Sequence, residues 1–141
     1  MMQNPARRSL HSTLLVSALA ATTAALPAQT LSLDKTGGGL GTLTTFPIQG
    51  APNEPYFFIF DVIETPTPLP APYSVTLDVG LDLLDFTFAI PGWVGTMNGS
   101  GVATPQLIIP NDPFFESLVF SFQVLGGAGP YRVSNLVRVT P

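Results

Sequence analysis

Proline and glycine punctuate this chain so densely that no long helix can run through it. The sequence carries 15 Pro and 13 Gly in 141 residues, above ordinary usage, and a proline inside a helix removes a backbone donor and clashes with the preceding turn. Between these breakers lie short runs of Phe, Val, Ile and Leu, none with convincing helical spacing. Ten Phe and 45% hydrophobic residues supply too much apolar surface for a disordered chain. Charged residues, at 10%, fall well below the roughly 25% of globular domains. The pattern predicts an all-β chain: a single antiparallel β-sandwich of seven or eight strands, Ig-like or jelly-roll-like.

The N-terminus stands apart. Arg7 and Arg8 precede an uncharged apolar stretch, Leu14 to Ala25, and Ala25-Leu26-Pro27-Ala28 ends on a small residue, which is the order of regions in a secretory signal peptide. The stretch falls short of the about 20 residues needed to span a bilayer, so a signal peptide over 1–28 is preferred to a membrane anchor. Residues 29–141 then form one sandwich domain, secreted or kept in the periplasm or cell envelope. Its formal charge is 3 − 9 = −6, from Lys35, Arg132 and Arg138 against nine acids. Three cations cannot neutralise a run of phosphates, which argues against nucleic acid and, after signal cleavage, against a membrane surface as partner. No Cys is present, so an exported fold relies on apolar burial and not on disulfides.

Tyr56 to Glu64 is apolar at both parities apart from Asp61, which predicts a central strand covered on two sides. Thr65 to Pro72, with proline at every second position, reads as an extended connector that cannot join an interior strand. From Ser74 to Ile90 the alternation changes phase: Leu77, Val79, Leu81 and Leu83 share one face, and Leu84, Phe86, Phe88 and Ile90 the other. Either a bulge at Leu83-Leu84 or a bend between sheets accounts for it. Trp93 to Met97 and Gly101 to Ile109 read as a hairpin about Asn98-Gly99, with Pro105 placing the second arm at an edge. Leu118 to Val124 and Tyr131 to Thr140 supply the last strands.

Several turn motifs carry a resemblance. Gly50-Ala51-Pro52-Asn53, Asn98-Gly99-Ser100-Gly101, Ile109-Pro110-Asn111-Asp112-Pro113, Gln123 and Ser134-Asn135 before Val137-Arg138-Val139 resemble an uncharacterised module of secreted proteins from planctomycete-like bacteria. The likeness covers most of Leu31 to Thr140. It implies an exported β-sandwich and transfers no functional residue.

Catalysis is tested by elimination. Residues 29–141 contain neither His nor Cys, which removes serine and cysteine triads, His-ligated metals and cysteine redox pairs. Lys35 reads as a solvated lysine, and Gly37-Gly38-Gly39-Leu40-Gly41 lacks the residues of a phosphate loop. Asp78 and Asp82, four apart on a strand, would be about 13 Å apart, beyond the separation of glycosidase acid pairs. With Asp85 they form a solvent-facing set whose alternative use is calcium. Asn111 and Asp112 suit a turn. Asp61, in an apolar strand, needs a partner if buried, and Arg132 or Arg138 is expected to supply it. No cofactor and no enzymatic activity are expected.

Recognition falls to the aromatics. Trp93, Tyr73, Tyr131, Phe114 and Phe115 are the candidates, each weighed against packing in the core. Adjacent Phe114 and Phe115 cannot both point inward from a regular strand, so one closes the end of the sandwich while the other forms an interaction patch. The sequence therefore predicts a non-enzymatic module with a structural or protein-interaction role, and as the alternative a carbohydrate-binding domain whose exposed aromatics stack on sugar rings.

Overall fold

A computed structural model describes residues 29–141, and the expected signal peptide at 1–28 lies outside the described residues. Strands in several antiparallel sheets predominate in the regular secondary structure of the described residues, with one short α-helix. In chain order the elements are β1 (Ser32–Leu33), β2 (Leu43–Thr45), β3 (Ile48–Gln49), β4 (Pro55–Asp61), β5 (Glu64–Pro68) and β6 (Thr76–Val79). There follow α1 (Leu84–Ala89), β7 (Val94–Thr96), β8 (Val102–Ala103), β9 (Gln106–Ile108), a 3-10 turn (Pro113–Ser117), β10 (Phe120–Gly126), β11 (Arg132–Val133) and β12 (Val137–Val139). The strands number twelve among the described residues because turn residues divide the expected runs. Pro47 separates β2 from β3, Thr104-Pro105 separates β8 from β9, and Ser134 to Leu136 separate β11 from β12.

The fold is organised about the β4–β10 pair, in register from Ser121 opposite Asp61 to Gly126 opposite Tyr56. β7 extends this sheet beside β4, and β11 and β12 extend it beside β10. The period-two geometry of a strand sends alternate residues to opposite faces. Phe58, Phe60, Phe122 and Val124 enter the larger core, with Phe46, Ile48, Trp93 and Val139, beneath strands β1, β3 and β8 and the β2–β9 pair. Phe58 and Phe60 lie nearly parallel to Phe122, at ring separations of 5.3 and 5.6 Å. Each such fully buried ring contributes about 1.5–3 kcal/mol. On the opposite face Ile59 and Leu125 meet Leu77 and Val79 of the β5–β6 hairpin in a smaller core. Tyr56 to Asp61 is thus covered on both sides, which explains why polar residues are nearly missing from it.

Gln123 is buried on this second face, and its amide is fully engaged. Oε1 accepts from the Asp78 N–H at 2.8 Å, while Nε2 donates to the Asp78 carboxylate and the Ser134 carbonyl, each at 3.0 Å. One side chain thereby ties β6, β10 and the β11–β12 loop together.

Four expectations are corrected. Leu84 to Ala89 is helix, not strand: Leu84 and Phe88 lie four apart, Leu83, Phe86 and Ile90 three and four apart, and these two helical faces straddle β4. Phe88 sits edge-on to Phe57 on one face of the sheet and Phe86 edge-on to Phe60 on the other. The proline-rich connector begins as strand β5, but only in a two-stranded edge pairing with β6 whose register shifts between Glu64 and Thr67, where missing proline donors are tolerated. Asn98-Gly99 makes the expected turn without a hairpin, because β7 pairs with β4 and β8 with β3. The left-handed residue is Gly101, at φ 76°, where an added Cβ would collide with the Gly50 carbonyl. Asp61 has no arginine partner: its fully buried carboxylate accepts from the backbone N–H groups of Val62, Ile63 and Asp82 at 2.7, 3.1 and 2.9 Å.

Candidate functional site

Among the described residues an apolar groove of about 540 Å³ lies at the end of the larger core. Phe60 of β4 and Val62 just after it lie with Leu83, Phe86 and Ile90 of the α1 segment in the lining. Leu107 and Ile108 of β9, the Ile109 and Pro110 that follow it, Phe114 and Phe115 of the 3-10 turn, and Leu118 and Phe120 after that turn complete the lining. Every lining side chain is apolar. Asp112 holds the 3-10 turn in place by accepting from the Phe114 N–H at 2.9 Å, an N-terminal cap, and Pro113 begins the turn with φ already set.

The turn divides the two phenylalanines as the sequence required. Phe115 packs against the core and meets Phe120 at 6.1 Å between ring centroids. Phe114 remains 69% exposed. Phe86 and Ile108 are also more than half exposed, and neither was among the sequence candidates. The Leu83, Phe86 and Ile90 spacing was the available signal for the first; nothing in the alternation distinguished Ile108.

Trp93 belongs elsewhere. It is fully buried, edge-on to Phe58 and Phe60 at 4.9 and 5.2 Å, and its Nε1–H donates to the Gln106 carbonyl at 3.1 Å. Its ring has no face open to a sugar. Tyr73 and Tyr131 do meet, with ring centroids 4.8 Å apart, but on the smaller core, across the central sheet from Trp93. Both are only partly exposed.

The carboxylates serve the backbone and the arginines. Arg132 grips the buried Glu54 with two guanidinium N–H groups, and the Ala51 N–H also donates to it. Burial pushes the Glu54 carboxyl up, but these donors outweigh burial and hold its pKa below the ordinary value. Gly50 and Gly126 leave room for this carboxylate, since a Cβ on either would stand within 3.0 Å of it. Arg138 pairs with Glu64, and with the Ser121 hydroxyl it holds that carboxyl at about 2. Asp78, Asp82 and Asp85 are all exposed, and Asp78 is in addition bonded to Gln123. Among the described residues no three of His, Cys, Asp and Glu gather as a metal site. Lys35 is exposed beside the glycine loop.

No protein-family model, curated protein or solved structure matches this chain.

Proposed function

We propose that this chain is an exported, non-enzymatic interaction module that docks a protein partner at the Phe114 groove, at the cell envelope or outside the cell. The layered antiparallel sheets about β4 and β10 are read as a β-sandwich of the Ig-like or jelly-roll-like kind. The observation that carries the reading is Phe114, 69% exposed at the mouth of an all-apolar groove of about 540 Å³, since apolar surface gathered in one patch marks an interaction site where scattered residues do not. The order of charged, apolar and small residues through Ala28 supports export, as does the likeness to a secreted bacterial module. Intact-mass measurement of the secreted protein should find an N-terminus near Gln29. Engagement of Asp61, Asp78, Glu54 and Glu64 in structural contacts supports a role outside catalysis. A glycan-binding reading would rest on Tyr73 and Tyr131 alone, and binding on a glycan array that disappears in Tyr131→Ala would favour it.

Nile red, a neutral dye that brightens in apolar surroundings, tests the docking reading. Its emission should rise with the wild-type protein, fall sharply in Phe114→Ser and Phe86→Ser, and stay unchanged in Val94→Ser, which removes an exposed apolar side chain of β7 outside the groove. No rise with wild type, or an undiminished rise with Phe114→Ser, would overturn it.

A further inference from the structure

Resting on that reading, we infer that the partner presents a basic amphipathic peptide segment: large apolar side chains for the groove, flanked by Lys or Arg. The groove is apolar within, and the segments that line it carry exposed acids next or next but one in sequence to lining residues. Asp85 lies on α1 between Leu84 and Phe86, while Asp112 and Glu116 bracket Phe114-Phe115, and all three are exposed. No Lys or Arg occurs in the segments that form the groove, 60–62, 83–90 and 107–120. Two of the three cations among the described residues are committed, Arg132 to Glu54 and Arg138 to Glu64, and Lys35 lies outside these segments. Asp85, Asp112 and Glu116 have no ion-pair partner among the described residues. The Asp112 bond to the Phe114 N–H uses one carboxylate oxygen and leaves the other available.

This arrangement discriminates between occupants by charge. An anionic amphiphile, or an apolar segment flanked by acids, would fill the groove at the cost of setting negative charge against three carboxylates. These interactions act within the Debye length of about 10 Å at 0.1 M salt. A segment with Leu or Phe at its centre and Lys at its flanks satisfies both the apolar lining and these acids, and the acids also steer its approach.

The test is displacement of Nile red from the purified protein by two synthetic peptides with the same Leu and Phe core, one flanked by Lys and the other by Glu. The Lys-flanked peptide should displace the dye at least about tenfold more tightly, the advantage expected of a few exposed charge pairs. The advantage should shrink as salt rises. It should also be lost or reversed in Asp85→Lys/Glu116→Lys, a surface variant whose unchanged melting temperature shows an intact fold; Asp112 is kept because it caps the turn. Equal displacement by both peptides, or by neither while the dye still binds, overturns this inference and leaves the apolar docking face standing. Dodecyltrimethylammonium displacing the dye as tightly as the Lys-flanked peptide overturns the assignment to a peptide. Failure of Nile red itself to bind removes the underlying reading.

Discussion

Removing Trp93 should cost more than any other single truncation in the larger core. The side chain is fully buried, edge-on to Phe58, Phe60 and Phe122 at 4.9, 5.2 and 6.4 Å, and its Nε1–H satisfies the Gln106 carbonyl. Truncating a buried tryptophan to alanine costs about 3–5 kcal/mol. The ring sits at the centre of an aromatic cluster and the Gln106 carbonyl would lose its donor, so Trp93→Ala is expected near the upper end, about 4–5 kcal/mol. Against a total of about 5–15 kcal/mol for a domain, that is a lowering of the melting temperature by about 15–25 °C. Urea unfolding followed by far-ultraviolet circular dichroism measures it, since the variant has no tryptophan left to report. Trp93→Phe keeps an aromatic ring and loses the N–H, and should recover more than half of the loss. A cost below about 1 kcal/mol, together with red-shifted and freely quenched emission from the wild-type tryptophan, would refute the packing argument.

Three further outcomes follow from the polar interior and the turns. Asp61→Ala strips the acceptor from three backbone N–H groups and should destabilise by about 2–4 kcal/mol, with Asp61→Asn intermediate; denaturation midpoints equal to wild type would refute it. The Glu54 and Glu64 carboxyls have folded pKa values below 4.5, that of Glu64 at about 2, so their stabilisation is complete above about pH 4.5 and is lost as pH falls toward 2. The melting temperature should fall over that window, less steeply in Glu64→Gln, and identical slopes would contradict the assignment. Gly101→Ala forces a left-handed residue and a collision with Gly50, and should cost about 2–3 kcal/mol by the same unfolding assay.

Strand β4 was legible because its environment leaves no choice of sequence. With one core on each face, residues 56–60 are all apolar, and only Asp61, bonded by backbone donors, departs from the pattern. The division of Phe114 and Phe115 was legible for a related reason, since two adjacent rings cannot both enter one core: Phe115 packs inward and Phe114 stands edge-on to it, exposed. Helix α1 was hidden because Leu84, Phe86 and Phe88 satisfy a period of two as well as their two helical faces do, and six residues are too few to separate the periods. The Asn98-Gly99 turn was visible, but its partners were not: which strands meet across the molecule depends on contacts between β4 and β7 and between β3 and β8 that no local residue encodes. The arginine partners failed for the same reason, as Glu54 and Glu64 are brought to Arg132 and Arg138 by the β4–β10 register and not by sequence proximity. The groove itself was half legible, through Phe114 and Phe115, while Phe86 required the helix to be recognised first.

The most direct test of the account maps the bound segment on the protein by amide chemical shifts. Titrating the Lys-flanked peptide into isotopically labelled protein should move the amides of 60–62, 83–90 and 107–118, and leave those around Tyr73 and Tyr131 in place. Shifts gathered at Tyr73 and Tyr131, with the amides flanking Phe86 and Phe114 unmoved at saturating peptide, would contradict it.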